Sequence, residues 1–289
     1  MNALKTPKNN TGSSVGGPYK DLHIYYLQGR LKPGRHVLHT QFIGNWEEDD
    51  FSFLFFSEPA RQEIEYLLKT QPQLTYIDSY QMTYDQWQGG LFKTFRSSRF
   101  RITPSWEISL NSPEIADGEL NIILDPGVVF GTGFHPTTHA CLEALDLAAQ
   151  SSVPESLLDL GTGTGLLAVA AARLGCPKIL AVDLNLLAAK TANRNVRLNN
   201  AQENILVVQG RAEDYIAHSA EFLVANIHYE IMQHVIGSRH FLTKKRFILS
   251  GLLRSEARDL ANKLARYPVK ILRTWAQDGV WHTLYGKTL

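Results

Sequence analysis

The sequence predicts an α/β protein in which a doubly wound parallel sheet follows a smaller N-terminal α+β region. Three observations favour this fold class. From about residue 136 onward, short apolar strand patterns alternate with helical patterns, which is typical of a parallel sheet with helices on both faces. Near the C-terminus, the pair Asp278-Gly279 separates two apolar runs and predicts a hairpin whose last strand runs antiparallel. Between residues 21 and 104, aromatic-rich strand patterns surround one helical pattern, as in a small α+β sandwich.

The individual elements follow from hydrophobic periodicity. In the N-terminal region we predict a helix within residues 58–70, with Pro59 in its first turn, where the missing N–H costs little. The acidic run from Glu47 to Asp50 is predicted to be a solvated hairpin turn rather than a binding site. In the C-terminal region we predict helices over 136–150, 166–174, 186–200, 229–241 and 255–267, and strands over 157–160, 179–183, 205–210, 222–227, 246–251, 270–275 and 280–285.

Composition limits the possible functions. The chain has 289 residues and a formal net charge of +1, which argues against strong nonspecific binding of nucleic acid, because such binding needs an excess of cations. Cys141 and Cys176 are the only cysteines of the sequence, too few for a disulfide scaffold, and they indicate a reducing compartment. No apolar run is long enough to span a membrane, and no secretory signal is evident. We therefore expect a cytoplasmic protein without membrane contact. The sequence does not predict its oligomeric state.

A glycine-rich loop is the most informative local feature. The pattern Leu157-Leu-Asp-Leu-Gly161-Thr-Gly163-Thr-Gly165 runs from a strand into a loop that opens a helix, and such loops let a ligand lie against backbone N–H groups. The glycines followed by Ala168 also satisfy the dinucleotide fingerprint, so a nicotinamide or flavin cofactor stays open at this point. Asp183 ends the next strand, where a carboxylate accepts hydrogen bonds from the ribose of any adenosine ligand. A purely structural turn is the third interpretation.

A second segment carries a resemblance to a known family. Residues 125–138, DPGVVFGTGFHPTT, resemble the signature of ribosomal-protein methyltransferases of the PrmA type, which use S-adenosyl-L-methionine to methylate amines on large-subunit protein eleven. The similarity continues through LLDLGTGTG, Asp183 and the VANI segment that ends at Ile227, and it reaches back to Trp87. It thus covers about 200 residues. It implies a seven-stranded doubly wound sheet of the methyltransferase kind with an antiparallel last strand.

The resemblance also assigns roles to single residues and regions. Composition and pattern predict a flexible tail at 1–20, an α+β domain at 21–105, a linker at 106–119 and a second domain at 120–289. The resemblance implies that 21–105 is the substrate-recognition domain and that 120–289 is the cofactor-binding methyltransferase domain. The entry loop, residues 125–135, is expected to fold over S-adenosyl-L-methionine. By analogy with the family, the residues around the cofactor are Phe130, Thr132, Thr138, Gly161, Gly163, Asp183 and Asn226. From spacing alone, Thr137 and Thr138 are equally suited to capping the helix that follows.

Asn226 and His228 are the candidate catalytic residues. The carbonyl oxygen of Asn226 can accept a hydrogen bond from an amine and orient its lone pair, although an amide cannot remove a proton. His228 is a candidate base. His228 and Tyr229 replace the residues that the family usually has after Asn-Ile, so packing or capping of the next helix is the alternative for both.

Other interpretations stay open at this stage. Glu213 or Asp214 is a candidate contact for the adenine amine. His135 and His139 have a four-residue spacing but lack the rest of a zinc motif, so we predict no metal site. For the whole protein, the resemblance implies an N-methyltransferase acting on lysine or N-terminal amines of a ribosomal protein. The alternatives are a nucleotide-dependent oxidoreductase, a methyltransferase for another protein or a small amine, or a scaffold that has lost activity.

Overall fold

A four-stranded antiparallel sheet forms the N-terminal part of the protein. The computed structural model describes residues 17–32, 41–108 and 116–289. Strands β1 (Asp21–Gln28), β2 (Phe42–Glu48), β3 (Phe51–Phe56) and β4 (Thr75–Thr83) pair in the order β2-β3-β1-β4, and helix α1 (Arg61–Thr70) covers one face. The β2–β3 hairpin turns at Asp49 and Asp50, which confirms the predicted acidic turn. Helix α1 begins after Ala60, so the placement of Pro59 within its first turn is wrong: Pro59 precedes the N-cap.

A small sheet connects the two parts of the chain. Helix α2 (Tyr84–Gln88) precedes β5 (Phe95–Ser97) and β6 (Phe100–Pro104), and β6 pairs in parallel with β7 (Leu120–Leu124). The buried Ile102 and Ile122 of these strands join the same apolar cluster as the large sheet. Strands on both sides of the predicted linker 106–119 therefore share one sheet. The domain boundaries stay a prediction, since residues 1–16 and 109–115 lie outside the described ranges.

The large sheet has seven strands and confirms the predicted fold class. Its strands are β8 (Leu157–Leu160), β9 (Ile179–Asp183), β10 (Ile205–Gln209), β11 (Phe222–Asn226), β12 (Arg246–Leu253), β13 (Val269–Gln277) and β14 (Trp281–Thr288). They pair in the order β10-β9-β8-β11-β12-β14-β13. The first five in this order are parallel, and β14 inserts antiparallel between β12 and β13. The last strand of the chain is therefore antiparallel, as predicted.

Helices cover both faces of this sheet. They are α3 (Pro136–Ser151), α4 (Leu166–Arg173), α5 (Leu186–Leu198), α6 (Ala212–Tyr215), α7 (Tyr229–Gly237) and α8 (Arg254–Leu264). Helices α3 and α4 pack on one face and α7 and α8 on the other. The helix predicted over 229–241 ends at Gly237, because Ser238 adopts extended backbone and its hydroxyl accepts a hydrogen bond from the N–H of His240, which starts a separate 3₁₀ turn. Among the described residues, no helix is both long enough and apolar enough to cross a membrane.

The second face of the N-terminal sheet packs against the entry loop. Ile24 and Phe55 form a buried cluster with Tyr84 and Val128. The Tyr84 hydroxyl and the Gln88 amide each donate a hydrogen bond to the carbonyl oxygen of Gly127, both over 2.8 Å. The N-terminal region is thus attached to the backbone of the entry loop by apolar contacts and by two hydrogen bonds.

The Tyr84 hydroxyl should contribute measurably to stability. Tyr84 is 1% exposed, so Tyr84→Phe leaves the Gly127 carbonyl with one partner fewer in a buried setting. We expect the free energy of unfolding to fall by about 1–3 kcal/mol. Urea denaturation followed by circular dichroism measures this change. Tyr76→Phe, which removes an exposed hydroxyl bonded to Ser79, is the control and should change stability by less than about 0.5 kcal/mol. Equal effects of the two substitutions would contradict the assignment.

Candidate active site at the switch point of the sheet

The site lies where the strand order of the large sheet reverses direction. Strand β8 is central, with β9 on one side and β11 on the other, and ligands of such sheets bind beyond the carboxyl ends of the strands at this point. The glycine loop, the end of β9 at Asp183 and the end of β11 at Asn226 all lie at this edge. The topology therefore brings together the strand-end residues that the sequence singles out.

The glycine loop needs glycine at its first two predicted positions. Gly161 and Gly163 have φ angles of 73° and 57°, in the left-handed region. A Cβ at Gly161 would lie 2.3 Å from Cγ2 of Ile227, and a Cβ at Gly163 would lie 2.6 Å from the carbonyl oxygen of Phe130. Side chains are thus excluded by conformation and by space. The loop lies directly against the entry loop on one side and the end of β11 on the other.

Asp183 supports the glycine loop from β9. Its Oδ2 accepts a hydrogen bond from the N–H of Gly163 over 2.9 Å, and its Oδ1 accepts one from the N–H of Asn185 over 2.9 Å. Burial raises the pKa of this carboxyl, while the two backbone donors act in the opposite direction. Each carboxylate oxygen keeps a second lone pair that can accept from a hydroxyl group. The ribose contact stays a prediction, and this geometry is compatible with it.

The entry loop is held by its backbone and exposes an aromatic ring. The N–H and hydroxyl of Thr164 donate to the carbonyl oxygens of Phe130 and Gly131 over 3.1 and 2.6 Å. The side chain of Phe130 is nevertheless 76% exposed, unusually high for an aromatic ring on a hydrogen-bonded loop. Thr132 lies in the same loop, and its hydroxyl accepts a 3.4 Å hydrogen bond from the N–H of Phe134. Phe130 is therefore available to a ligand beside the glycine loop.

Helix α3 is capped by His135 and not by a threonine. The Nδ1 atom of His135 accepts from the N–H of Thr137 over 3.4 Å and lies 2.7 Å from the Thr137 hydroxyl. The alternative in which Thr137 or Thr138 caps this helix is therefore wrong, because the histidine ring occupies the capping position. Thr138 is buried in the first turn of α3, and its proposed cofactor contact stays a prediction.

Asn226 is oriented by a chain of hydrogen bonds that starts at His135. The Nδ2 group of Asn226 donates to the Thr137 hydroxyl over 3.3 Å, and that hydroxyl can donate in turn to Nδ1 of His135. Burial lowers the pKa of His135, which favours a neutral ring that accepts at Nδ1. Because Nδ2 is engaged, Oδ1 of Asn226 is left as the acceptor. The sequence did not indicate the bond between Thr137 and Asn226, since 89 residues separate them.

Asp159 is a second residue that sequence reasoning missed. It lies at 1% exposure on β8 beneath the glycine loop, and its Oδ2 accepts a 2.6 Å hydrogen bond from the Thr162 hydroxyl. Burial raises the pKa of Asp159 to about 7, and the negative charge of Asp183 adds to this effect. The Asp within the apolar LLDLG pattern could have indicated a raised pKa, because a carboxyl on a buried strand has no solvent to stabilise its charge.

The remaining candidates occupy different surroundings. The Tyr229 hydroxyl donates to Asp259 on α8 and accepts from Nζ of Lys263 at 3.2 Å, so the packing interpretation holds for Tyr229. His228 forms the N-cap of α7 with its backbone alone, and its exposed side chain makes no hydrogen bond or ion pair within the described ranges. Its role as a base stays a prediction.

Glu213, the candidate for the adenine amine, pairs with Arg211 at 3.1 Å. Its contact with adenine stays a prediction.

The two histidines with zinc-like spacing have other neighbours. His135 packs edge-on against Trp281 at 4.8 Å, and His139 lies 5.4 Å from the ring of Phe95. In the part of the chain that the structure describes, no group of three or more His, Cys, Asp and Glu residues is arranged to hold a metal ion.

The raised pKa of Asp159 predicts a pH dependence of stability. Between its ordinary value near 4 and the raised value of about 7, the folded state binds more protons at this carboxyl than the unfolded state does. The stability that the protonated carboxyl contributes is therefore lost as the pH rises through this range. Asp159→Asn cannot ionise, so its stability relative to the wild type should increase by about 2–3 kcal/mol between pH 5 and pH 8.

Urea unfolding at both pH values measures this difference. Asp50→Asn, at an exposed turn, is the control and should show no comparable trend. A constant difference between the Asp159 variant and the wild type at both pH values would show that Asp159 does not titrate in this range.

Comparison with known proteins agrees with this architecture. The model of the family described as ribosomal protein L11 methyltransferase (PrmA) matches residues 61–288. A ribosomal protein L11 methyltransferase of Geobacillus kaustophilus is 38% identical over 186 residues, which cover 62% of this chain and 58% of the relative. That of Streptococcus pneumoniae is 37% identical over 188 residues, covering 64% and 57%. The matched regions thus span little more than half the length of these relatives.

A solved structure extends the agreement to the fold. The ribosomal protein L11 methylase from Lactobacillus delbrueckii subsp. bulgaricus aligns with a TM-score of 0.58 and 25% identity, covering 68% of this chain and 100% of that one. The family match alone spans well over half of the sequence. The chain therefore belongs to the ribosomal protein L11 methyltransferase (PrmA) family.

Proposed function

We propose that this protein transfers methyl groups from S-adenosylmethionine to amino groups of a ribosomal protein, with L11 as the substrate. The relatives that carry this name match the part of the chain that holds the glycine loop and Asn226. The family resemblance supports lysine side chains as acceptors. A ribosomal protein substrate also agrees with the cytoplasmic location that the sequence predicts.

The residues of the site fit the cofactor chemically. Gly161 and Gly163 let the glycine loop lie close against Ile227 and the backbone of Phe130, where any Cβ would clash, and so keep the entry loop beside it. The free lone pairs of the Asp183 carboxylate suit the two hydroxyls of a ribose, and the exposed ring of Phe130 suits the apolar parts of the ligand. These three features lie on adjoining loops of one sheet edge. When bound, S-adenosylmethionine supplies an electrophilic methyl carbon whose bond to a positively charged sulfur breaks as the acceptor nitrogen attacks.

The orientation of the Asn226 amide is the observation that supports amine methylation best. Thr137 accepts from one N–H of Nδ2 and so fixes the direction of the amide, and we assign Oδ1, its one side-chain acceptor, to the substrate amine. A neutral amine has an N–H to donate to Oδ1 and a lone pair to direct at the methyl carbon. Holding the nitrogen in this direction is the main catalytic task in such a displacement. An amine that is already aligned with the methyl carbon has less freedom of motion to lose in the transition state, which lowers the activation barrier.

Proton removal is the second requirement. A lysine amine is protonated at neutral pH and must lose one proton before its lone pair can attack. After transfer the nitrogen carries a positive charge and releases a further proton. His228 lies two residues beyond Asn226, and its side chain has no other partner in the described ranges, so we propose it as the group that takes this proton.

Labelled methyl transfer to recombinant L11 from the same genome tests the proposed function. The wild type should incorporate label, whereas Asn226→Ala should lower kcat by about 100-fold, because the amine loses its orienting acceptor. S-adenosylmethionine affinity, measured by calorimetry, should change less than about threefold if the orienting role is separate from cofactor binding. Asn204→Ala is the control. Asn204 lies in the turn before β10, at the end of the strands opposite to Asn226, so this variant should transfer methyl groups normally.

Substitutions of Thr137 test the orientation of the Asn226 amide without removing the amide itself. Thr137→Ser keeps a hydroxyl for Nδ2 of Asn226 and should retain most activity, whereas Thr137→Val should approach the rate of the Asn226 variant. If the wild type fails to label L11, the proposed function is wrong. If the Asn226 variant keeps full kcat, the proposed role of Asn226 is wrong.

The role of His228 is tested by the pH dependence of kcat. If His228 accepts the proton, His228→Gln should change the shape of the pH–rate profile of kcat by removing one limb. His234→Gln is the matched control, because His234 lies on the exposed side of α7. A profile of the His228 variant that coincides with the wild type would remove His228 from the mechanism and leave proton release to solvent.

A further inference from the structure

A groove between α8 and the C-terminal hairpin lies outside the site described above. It has a volume of about 770 Å³ and lies on the face of the sheet opposite to α3, above strands β13 and β14. We call it the α8 groove. It is lined by Leu253, Arg254, Arg258, Ile271, Val280 and Leu284, among others. Strand β13 is the edge strand on this side, so the groove opens toward solvent along the edge of the sheet.

The α8 groove carries positive charge without an acidic neighbour in its lining. Arg254 and Arg258 are four residues apart on α8, which places both on the same face of the helix, and both side chains are exposed. Within the described ranges neither forms an ion pair, and no Asp or Glu lines the groove. The nearest acids on α8 are engaged elsewhere: Glu256 accepts from the N–H of Leu253, and Asp259 pairs with Lys263 at 2.7 Å.

This arrangement has an energetic cost that an acidic partner would remove. Two like charges at positions i and i+4 repel each other, and Arg254 stands in the first helical turn, where the helix dipole also disfavours a cation. A pair of carboxylates on a bound partner would reverse both effects. The charge distribution therefore indicates an anionic occupant.

The rest of the lining distinguishes a peptide from a nucleic acid. Leu253 and Val280 are 41% and 46% exposed, which is high for aliphatic side chains, and they flank the two arginines. Within the described residues the lining contains no Phe, Tyr or Trp, and its one imidazole, that of His282, has a buried Nε2 atom, whereas surfaces that bind single-stranded nucleic acid present exposed aromatic rings to stack bases. Aliphatic side chains between arginines instead suit a segment that has both apolar and acidic side chains.

The groove borders the catalytic end of the sheet. Leu253 of its rim pairs in register with Trp281, and the Trp281 ring packs against His135 at 4.8 Å. His135 is bonded to Thr137, which holds Asn226. A protein segment bound in the groove is thus separated from the amine-orienting residue by a short chain of side-chain contacts.

We propose that the α8 groove binds an acidic, partly apolar segment of the methyl-accepting protein, away from the amine that is methylated. The identification of the bound protein as the methyl acceptor rests on the proposed function. The recognition itself rests on the two arginines and the aliphatic rim. The groove gives the enzyme a second contact with its substrate and thereby selects among proteins that carry accessible amines.

Binding of a defined peptide tests the recognition without any catalytic step. The probe is a fluorescein-labelled 12-residue peptide with leucines and with glutamates four residues apart. The comparison probes are a copy with every Glu replaced by Gln and a 12-nucleotide oligouridylate. By fluorescence anisotropy at low salt, the acidic peptide should bind the wild type at least 10-fold more tightly than either comparison probe.

Two charge-reversal variants locate the binding. Arg254→Glu together with Arg258→Glu should weaken binding of the acidic peptide at least 10-fold. Lys270→Glu together with Lys287→Glu changes the charge equally at exposed positions of the same sheet and should leave binding within twofold. Circular dichroism confirms that both variants fold. Equal binding of the acidic and Gln peptides, tighter binding of the RNA, or equal loss in both variants would overturn the proposal.

A separate experiment measures methyl transfer to L11. The arginine variant should raise KM for L11 about 10-fold with S-adenosylmethionine affinity and kcat within twofold, because the groove lies outside the transfer site. An unchanged KM with normal transfer would overturn the role of the groove in substrate binding. Absence of transfer by the wild type would instead refute the proposed function, and the peptide measurements would still decide the recognition.

Discussion

The hydrogen bonds of one buried amide connect the elements on which the site depends. Oδ1 of Asn195 accepts from the N–H of Asp125 over 2.8 Å, while Nδ2 donates to the carbonyl oxygens of Asp125 and Thr164 over 3.0 and 2.8 Å. Asn195 is fully buried on α5, so its side chain has no water to compensate for a lost partner. It joins the start of the entry loop to the end of the glycine loop, and the relative position of these two loops shapes the candidate site.

The entry loop is also held by hydrogen bonds from the N-terminal region. The entry loop that Asn195 holds at Asp125 accepts hydrogen bonds from Tyr84 and Gln88 at the carbonyl of Gly127. A shift of the N-terminal sheet would therefore act on the entry loop, and through the bonds of Thr164 on the glycine loop. The part of the chain that the family resemblance assigns to substrate recognition is mechanically continuous with the part assigned to cofactor binding.

Periodicity and turn chemistry predicted most of the large sheet, because its strands and helices obey local rules. The apolar runs that end at Asp183 and Asn226 became parallel strands, and Asp278-Gly279 became the hairpin. Features decided by contacts distant in sequence were missed. The bond of Thr137 to Asn226 needs the topology that places α3 beside β11, and the burial of Asp159 needs the loop above it. Helix α7 was predicted, but its end at Gly237 was missed because a local serine turn overrides an apolar pattern that continues beyond it.

The distribution of charge within the candidate site suits the amine acceptor that we propose. The carboxyl groups of Asp159 and Asp183 lie under and beside the glycine loop, whereas the chain from His135 through Thr137 to Asn226 consists of neutral hydrogen-bonding groups. Burial favours the neutral form of the His135 ring by lowering its pKa. A carboxylate in place of the Asn226 amide would hold the acceptor as an ammonium ion, which has no lone pair to attack with. An amide accepts the same hydrogen bond without stabilising the extra proton, so under the proposed function a neutral oxygen at the end of β11 favours the reactive form of the amine.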